Sequence, residues 1–67
     1  MIAVTLNGAP RTFEQNLSVA HLIETLALAG QRIAVERNGD IVPRSRYGEQ
    51  MLADGDRLEI VVAVGGG

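Results

Sequence analysis

Apolar and polar positions alternate near both ends of the chain and follow a helical period once between them. Ile2, Val4 and Leu6 alternate with Ala3 and Thr5, which predicts a strand with one buried face. Asn7-Gly8 is a strong hairpin signal, and Pro10 marks the far side of a connection longer than the tightest hairpin. Arg11 to Gln15 reads as the return strand, with Phe13 as its inward anchor. Asn16-Leu17-Ser18 breaks the pattern, and Ser18 suits a helix N-cap. Val19, Leu22, Ile23 and Leu26 then fall at i, i+3, i+4 and i+7, one face of an amphipathic helix of about ten residues. Gly30 stands where a terminating glycine belongs, and Arg32 follows the negative end of the helix. His21 lies off the apolar stripe, as an exposed helix residue would.

Strand character resumes at Ile33-Ala34-Val35. Asn38-Gly39-Asp40 predicts a second turn, Ile41-Val42 pairs back, and Pro43 stops the ladder. Arg44 to Gly48 reads as an irregular turn or a single helical turn, with Tyr47 covering one end of the core. Arg44 and Arg46 there suit a solvated face better than an anion site. Met51-Leu52 is too short to predict a strand. Asp54-Gly55-Asp56 makes a third turn, which reads as an exposed tip. Leu58, Ile60, Val62 and Val64 then form the inward face of a last strand. Its outward face changes character, from Arg57 and Glu59 to Val61 and Ala63. An apolar outer face means burial on both sides or a patch that a partner covers, and its lead into the glycines that follow favours the partner.

The order is β-β-α-β-β with a long final strand. Two hairpins packed on one helix, with the apolar first and last strands central and parallel, is the compact solution. The expected class is α+β, a β-grasp or ubiquitin-like fold with a mixed sheet of four to five strands on one helix. Residues 1–64 form the expected domain, and 65–67 a flexible glycine tail.

Sixty-seven residues make one domain, small enough that its stability is marginal. With no Cys and one His there is no disulfide, thiol nucleophile or thiolate metal site, and a structural zinc site is not expected. A net charge of −2 argues against a nucleic-acid partner. No apolar run is long enough to span a membrane and the start lacks the features of a signal peptide, so a cytoplasmic protein is expected. All six basic residues are arginine, so no side-chain amine is present to attack an activated carboxyl group.

Catalytic sets fail in turn. The serines and threonines have only His21 as an imidazole partner, and Ser18 is explained as a cap. Asp54 and Asp56 read as turn residues, and no phosphate-binding glycine loop precedes a helix. No catalytic residue and no bound cofactor is expected. What remains is Gly65-Gly66-Gly67. These glycines read either as a loose end or as a thin arm, free of side chains, that carries an α-carboxylate into a narrow channel. In the second reading the carboxylate of Gly67 is a substrate, activated by a partner that couples it to AMP from ATP.

Three stretches carry a family resemblance: Val35-Glu36-Arg37-Asn38-Gly39-Asp40-Ile41-Val42-Pro43-Arg44, then Leu52 to Val61 with the Asp-Gly-Asp turn, then Val64-Gly65-Gly66-Gly67. Together they cover about half the chain, and the sequence resembles the ThiS-type sulfur carrier proteins of thiamine biosynthesis. The resemblance implies that Gly67 is adenylated by a ThiF-type adenylyltransferase using ATP. A cysteine desulfurase or other persulfide donor then converts it to a thiocarboxylate, which supplies sulfur to a ThiG-type thiazole synthase. Gly66 and Gly67 carry over as the arm that enters both partners. Gly65 is a third glycine where the family pattern commonly has two. The implied docking surface surrounds the base of the tail, at Val61 and Ala63, with Arg57 as a further residue of partner choice. A molybdopterin-synthase-type carrier and a ubiquitin-like protein modifier remain as alternatives.

Overall fold

The structure, a computed structural model, describes residues 1–63. Strands β1 (Ile2–Leu6) and β2 (Ala9–Phe13) form a hairpin. Helix α1 (Val19–Thr25) follows, then a second hairpin of β3 (Ile33–Arg37) and β4 (Asp40–Ile41), a 3-10 turn (Arg44–Arg46) and β5 (Arg57–Val62). The five strands form one sheet in the order β2-β1-β5-β3-β4. The last strand therefore lies between the first and third, parallel to β1 and antiparallel to β3. This is the β-grasp arrangement expected from the element order.

Period-two alternation and the helical stripe meet in one core. Val4 and Leu6, Val35, and Leu58 and Ile60 present one face of the sheet to Val19, Leu22 and Ile23 of α1. Leu17, Val42 and Leu52 close the core from the connections, and Phe13, Leu26 and Tyr47 pack partly buried around it.

Both hairpins are tighter than the sequence suggested. Leu6 pairs with Ala9 and Arg37 with Asp40, so each loop has only two residues, Asn7-Gly8 and Asn38-Gly39. All four have positive φ (49°, 83°, 54° and 89°), as a type I′ turn requires. Strand β2 therefore starts at Ala9 and ends at Phe13, rather than running from Arg11 to Gln15. Pro10 does not interrupt it, because the opposite Thr5 sends its N–H the other way, to the carbonyl of Asp56 just before β5. The Pro10 nitrogen thus faces the open edge of the sheet, where no donor is needed.

The helix is also shorter than expected. Its first N–H groups are all paired: Val19 to the Gln50 carbonyl, Ala20 to the Tyr47 carbonyl, His21 to the Ser18 hydroxyl oxygen and Leu22 to the Ser18 carbonyl. The segment from the 3-10 turn to Met51 thus serves as an extended cap, which explains the isolated bridge between Ser18 and Met51. At the other end Leu28 N–H donates to the Ile23 carbonyl and Ala27 N–H to the Glu24 carbonyl. This is a Schellman motif with Ala27 at the left-handed position, φ 60°. It stops the helix three residues before Gly30, which instead takes a separate positive-φ turn.

Asp54 and Gly55 of the third turn are exposed, as its composition suggested, but Asp56 is not. Asp54 Oδ1 accepts from Ala3 N–H at 2.7 Å. Asp56 is 5% exposed and gathers three donors: Arg37 Nε at 2.7 Å, Asn38 Nδ2 at 3.0 Å and Ala53 N–H at 2.8 Å. Burial pushes this carboxyl up. The hydrogen bonds from Arg37, Asn38 and Ala53, with the Arg37 charge, outweigh it and hold the pKa below the ordinary value.

Two outcomes follow from these contacts. Ala27→Gly removes the Cβ penalty at a left-handed site and should stabilise the domain by about 1 kcal/mol, a rise in Tm of roughly 4–8 °C by calorimetry. An unchanged or lower Tm would show that Ala27 does not hold this conformation in solution. Because the folded-state pKa of Asp56 is depressed, its contribution is complete above its unfolded value of about 4 and is lost as pH falls further. Asp56→Ala should cost about 2–3 kcal/mol at neutral pH by removing the charged acceptor of three partly buried hydrogen bonds. Urea titrations at pH 7 and pH 3 should show the gap between wild type and variant narrowing in acid.

Candidate functional site

The site expected from sequence is the far end of β5 and the chain that continues from it, so the geometry of that strand decides what the site presents. Leu58 and Ile60 point into the core, while Arg57, Glu59 and Val61 face away from α1. The antiparallel pairing with β3 spans Arg37↔Leu58 to Ile33↔Val62. The parallel pairing with β1 is short, Thr5↔Arg57 and Leu6↔Leu58, because β1 ends at its hairpin. There the Asn7 side chain takes over. Its Oδ1 accepts from Ile60 N–H at 2.8 Å and its Nδ2 donates to the Ile60 carbonyl at 3.2 Å. The amide acts as one more backbone unit of β1.

Asn38 does the corresponding work at the other end of β5. Its Oδ1 accepts from Arg57 N–H at 2.8 Å, its own N–H donates to the Arg57 carbonyl at 2.7 Å, and its Nδ2 reaches Asp56. The two Asn-Gly turns thus hold the strand from opposite sides, Asn38 at its first residue and Asn7 at its fourth. Among the described residues, the last backbone contact toward the glycine end is Ala63 N–H to the Arg32 carbonyl, 2.9 Å.

Of the residues expected to dock a partner, Val61 is 62% exposed and Ala63 is also exposed. Directly across from Val61 on β3 lies Ala34, likewise exposed, so the two share an apolar spot at the end of β5. Arg57 is exposed but stands four residues back along the strand, about 13 Å from Val61 at the usual rise. The fold therefore groups Val61, Ala63 and Ala34 and sets Arg57 apart. Ala34 was not expected as part of this spot: one small apolar residue inside an apolar strand gives no signal until the register is known. Exposed Ile41 lies opposite Glu36, further along the same face. Val64 and the arm Gly65, Gly66 and Gly67 lie outside the described residues.

The catalytic alternatives gain nothing from the geometry. The Ser18 hydroxyl oxygen accepts the His21 backbone N–H at 3.1 Å as an N-cap, and His21 is exposed on the first turn of α1. Asp56 is committed to Arg37, Asn38 and Ala53. Among the described residues, no group of three or more His, Asp or Glu side chains is placed to hold a metal ion. Among the described residues, no helix is long and apolar enough to cross a membrane.

Known proteins share this arrangement. The ThiS family model matches residues 4–67, the glycine end included. The sulfur carrier protein ThiS of Bacillus subtilis is 36% identical over 63 residues, which are 92% of this chain and 96% of that protein. The crystal structure of a thiamine biosynthesis protein, ThiS, from Geobacter metallireducens superposes with a TM-score of 0.83 at 32% identity, covering 98% of this chain and all of that one. The thiazole synthase of Paramagnetospirillum magneticum is 42% identical over 64 residues. This chain spans only about a fifth of that longer protein, 20% of its length. A match over nearly the whole sequence, on the same sheet and through the glycine end, places the chain in the ThiS family.

Proposed function

We propose that the chain is a sulfur carrier protein for thiamine (thiazole) biosynthesis, a co-substrate rather than an enzyme. The observation that carries this reading is the family match across residues 4–67, which joins the β-grasp domain to the glycine end in one unit. The geometry supports it. β5 is held on both flanks up to Ile60, and the chain continues from Ala63 beside an exposed apolar spot. A carrier needs this division between a rigid platform and an arm without side chains.

In this reading the Gly67 carboxylate attacks the α-phosphorus of ATP in the active site of a ThiF-type adenylyltransferase, and pyrophosphate leaves. The terminal sulfur of a persulfide, on a cysteine desulfurase or another donor, displaces AMP from the acyl-adenylate. A second thiol then takes the remaining sulfur–sulfur bond, leaving a thiocarboxylate on Gly67 and a disulfide on the donor side. The carrier presents this sulfur to a thiazole synthase. Relatives in which the matching stretch lies inside a thiazole synthase polypeptide support that choice of partner. ATP is consumed by the activating enzyme, the carrier itself holds no cofactor, and the pathway is placed in the cytoplasm.

Incubation with ATP, a persulfide donor and the activating enzyme should add one sulfur-for-oxygen exchange to the chain. Fragment spectra should confine that exchange to the glycine end, since sulfoxide formation at Met1 or Met51 gives nearly the same mass. Removal of Gly67 should abolish the exchange without changing the unfolding midpoint. Isopeptide adducts to other proteins, without a thiocarboxylate, would move the chain to the protein modifiers.

Val61→Asp tests the docking surface. It places a charge on an exposed position and leaves the core intact, so Tm should change little. Transfer should fall by at least tenfold, through a higher apparent KM for the carrier in the activating reaction. Transfer at the wild-type rate would remove Val61 from the docking surface.

A further inference from the structure

On the helix side of the sheet a groove of about 440 Å³ opens between the end of α1, the loop into β3 and the 3-10 turn. Leu28, Ile33 and Tyr47 form its partly buried apolar floor, and Arg32, Arg44 and Glu24 stand on its exposed rim. Its size falls in the lower part of the range of ligand-binding clefts.

Three observations describe what it would accept. The rim carries two positive charges and one negative charge, on a chain whose net charge is −2. The ion pair Arg37–Asp56 is the only one among the described residues, so neither Arg32 nor Arg44 is paired with a carboxylate there. The groove also adjoins the end of β5, because the carbonyl of Arg32, which lines it, accepts the Ala63 N–H. Arg32 is therefore a hydrogen-bonded neighbour of the last described residue before the glycine end.

We propose that this groove is a second docking point for the thiazole synthase, separate from the apolar spot at Val61. It would receive a synthase segment in which a large apolar side chain stands beside one or two Asp or Glu carboxylates. The apolar side chain fills the floor over Leu28 and Ile33, and the carboxylates meet Arg32 and Arg44. Arginine suits this role because its planar guanidinium pairs with carboxylate in a fixed geometry. The inference rests on the sulfur-carrier reading for the identity of the partner.

The test is a calorimetric titration of the full chain into purified thiazole synthase, for wild type, the double variant R32E/R44E and the control Arg11→Glu on the opposite edge of the sheet. The double variant should bind at least tenfold more weakly, with a flatter dependence on salt, and the control should stay within twofold of wild type. Equal affinity of the double variant and wild type would overturn the groove and leave the carrier reading in place. Failure of wild type to bind would overturn the choice of partner and the groove together. Amide spectra of the labelled wild-type chain give a readout that needs no variant. Signals of Glu24 and of residues 28–33 should broaden or shift on adding synthase, and silence there would overturn the proposal. Concentration-dependent shifts of the same signals in the protein alone would assign the groove to a second copy and overturn it as well.

Discussion

The fold depends on keeping its last strand in the middle of the sheet. β5 is the last strand of the described residues, yet it lies between β1 and β3 and carries Leu58 and Ile60 into the core. Its two flanks are unequal. The β3 side offers a full antiparallel register, while the β1 side offers only two residue pairs before that strand turns away. Asn7 corrects the imbalance by lending its side-chain amide to Ile60, so the turn that ends β1 also extends its ladder. Asn38 and Asp56 secure the other end, where Arg37, Asn38 and the Ala53 N–H converge on one buried carboxylate. A domain of this size has little surplus core, so polar contacts that set the position of one strand carry unusual weight.

Much of this architecture was legible because local signals agreed with one another. Alternation at Ile2-Val4-Leu6 and Leu58-Ile60-Val62, one helical stripe and two Asn-Gly turns admit few compact solutions. The misplacements have specific causes. The return strand was shifted because Pro10 was read as punctuation. Its harmlessness depends on which edge of β2 faces solvent, which is settled only by the hydrogen bond of Thr5 to Asp56. The helix end was placed at Gly30 because glycine is the usual left-handed residue, whereas tertiary packing of Leu26 and Leu28 imposes that conformation on Ala27. Asp56 reads as a turn residue because two of its three donors, Asn38 and Arg37, lie 18 and 19 positions away, beyond the reach of any local pattern.

The candidate site was legible in a different way. Its apolar outer positions stood out against Arg57 and Glu59 on the same face of the same strand, and the structure leaves Val61 and Ala63 exposed. The contribution of Ala34 was invisible, because it comes from the pairing of Ile33–Arg37 with β5 rather than from the composition of either strand. The chemistry of the glycine end came from elimination and from family resemblance, and the family match now extends through Gly67.

The side-chain contacts of β5 also answer a problem that pairing alone leaves open. A strand repeats every two residues, so a slip of one position would turn Leu58 and Ile60 outward and bring Glu59 and Val61 into the core. Hydrophobicity opposes that slip, but it does not oppose a slip of two, which keeps the inward face apolar by exchanging Leu58 for Ile60 and Ile60 for Val62. The asparagines do oppose it. A two-residue shift would carry Asp56 away from Arg37 and Asn38, burying a carboxylate without its partners, and would offset Ile60 from Asn7. Leaving a buried carboxylate without these donors costs about 1–3 kcal/mol or more, above the packing difference between neighbouring aliphatic residues. Register along the strand axis is therefore set by polar side chains, and the choice of face by apolar ones. The axial register thereby fixes where Ala63, the last described residue, stands beside Arg32 at the end of β5.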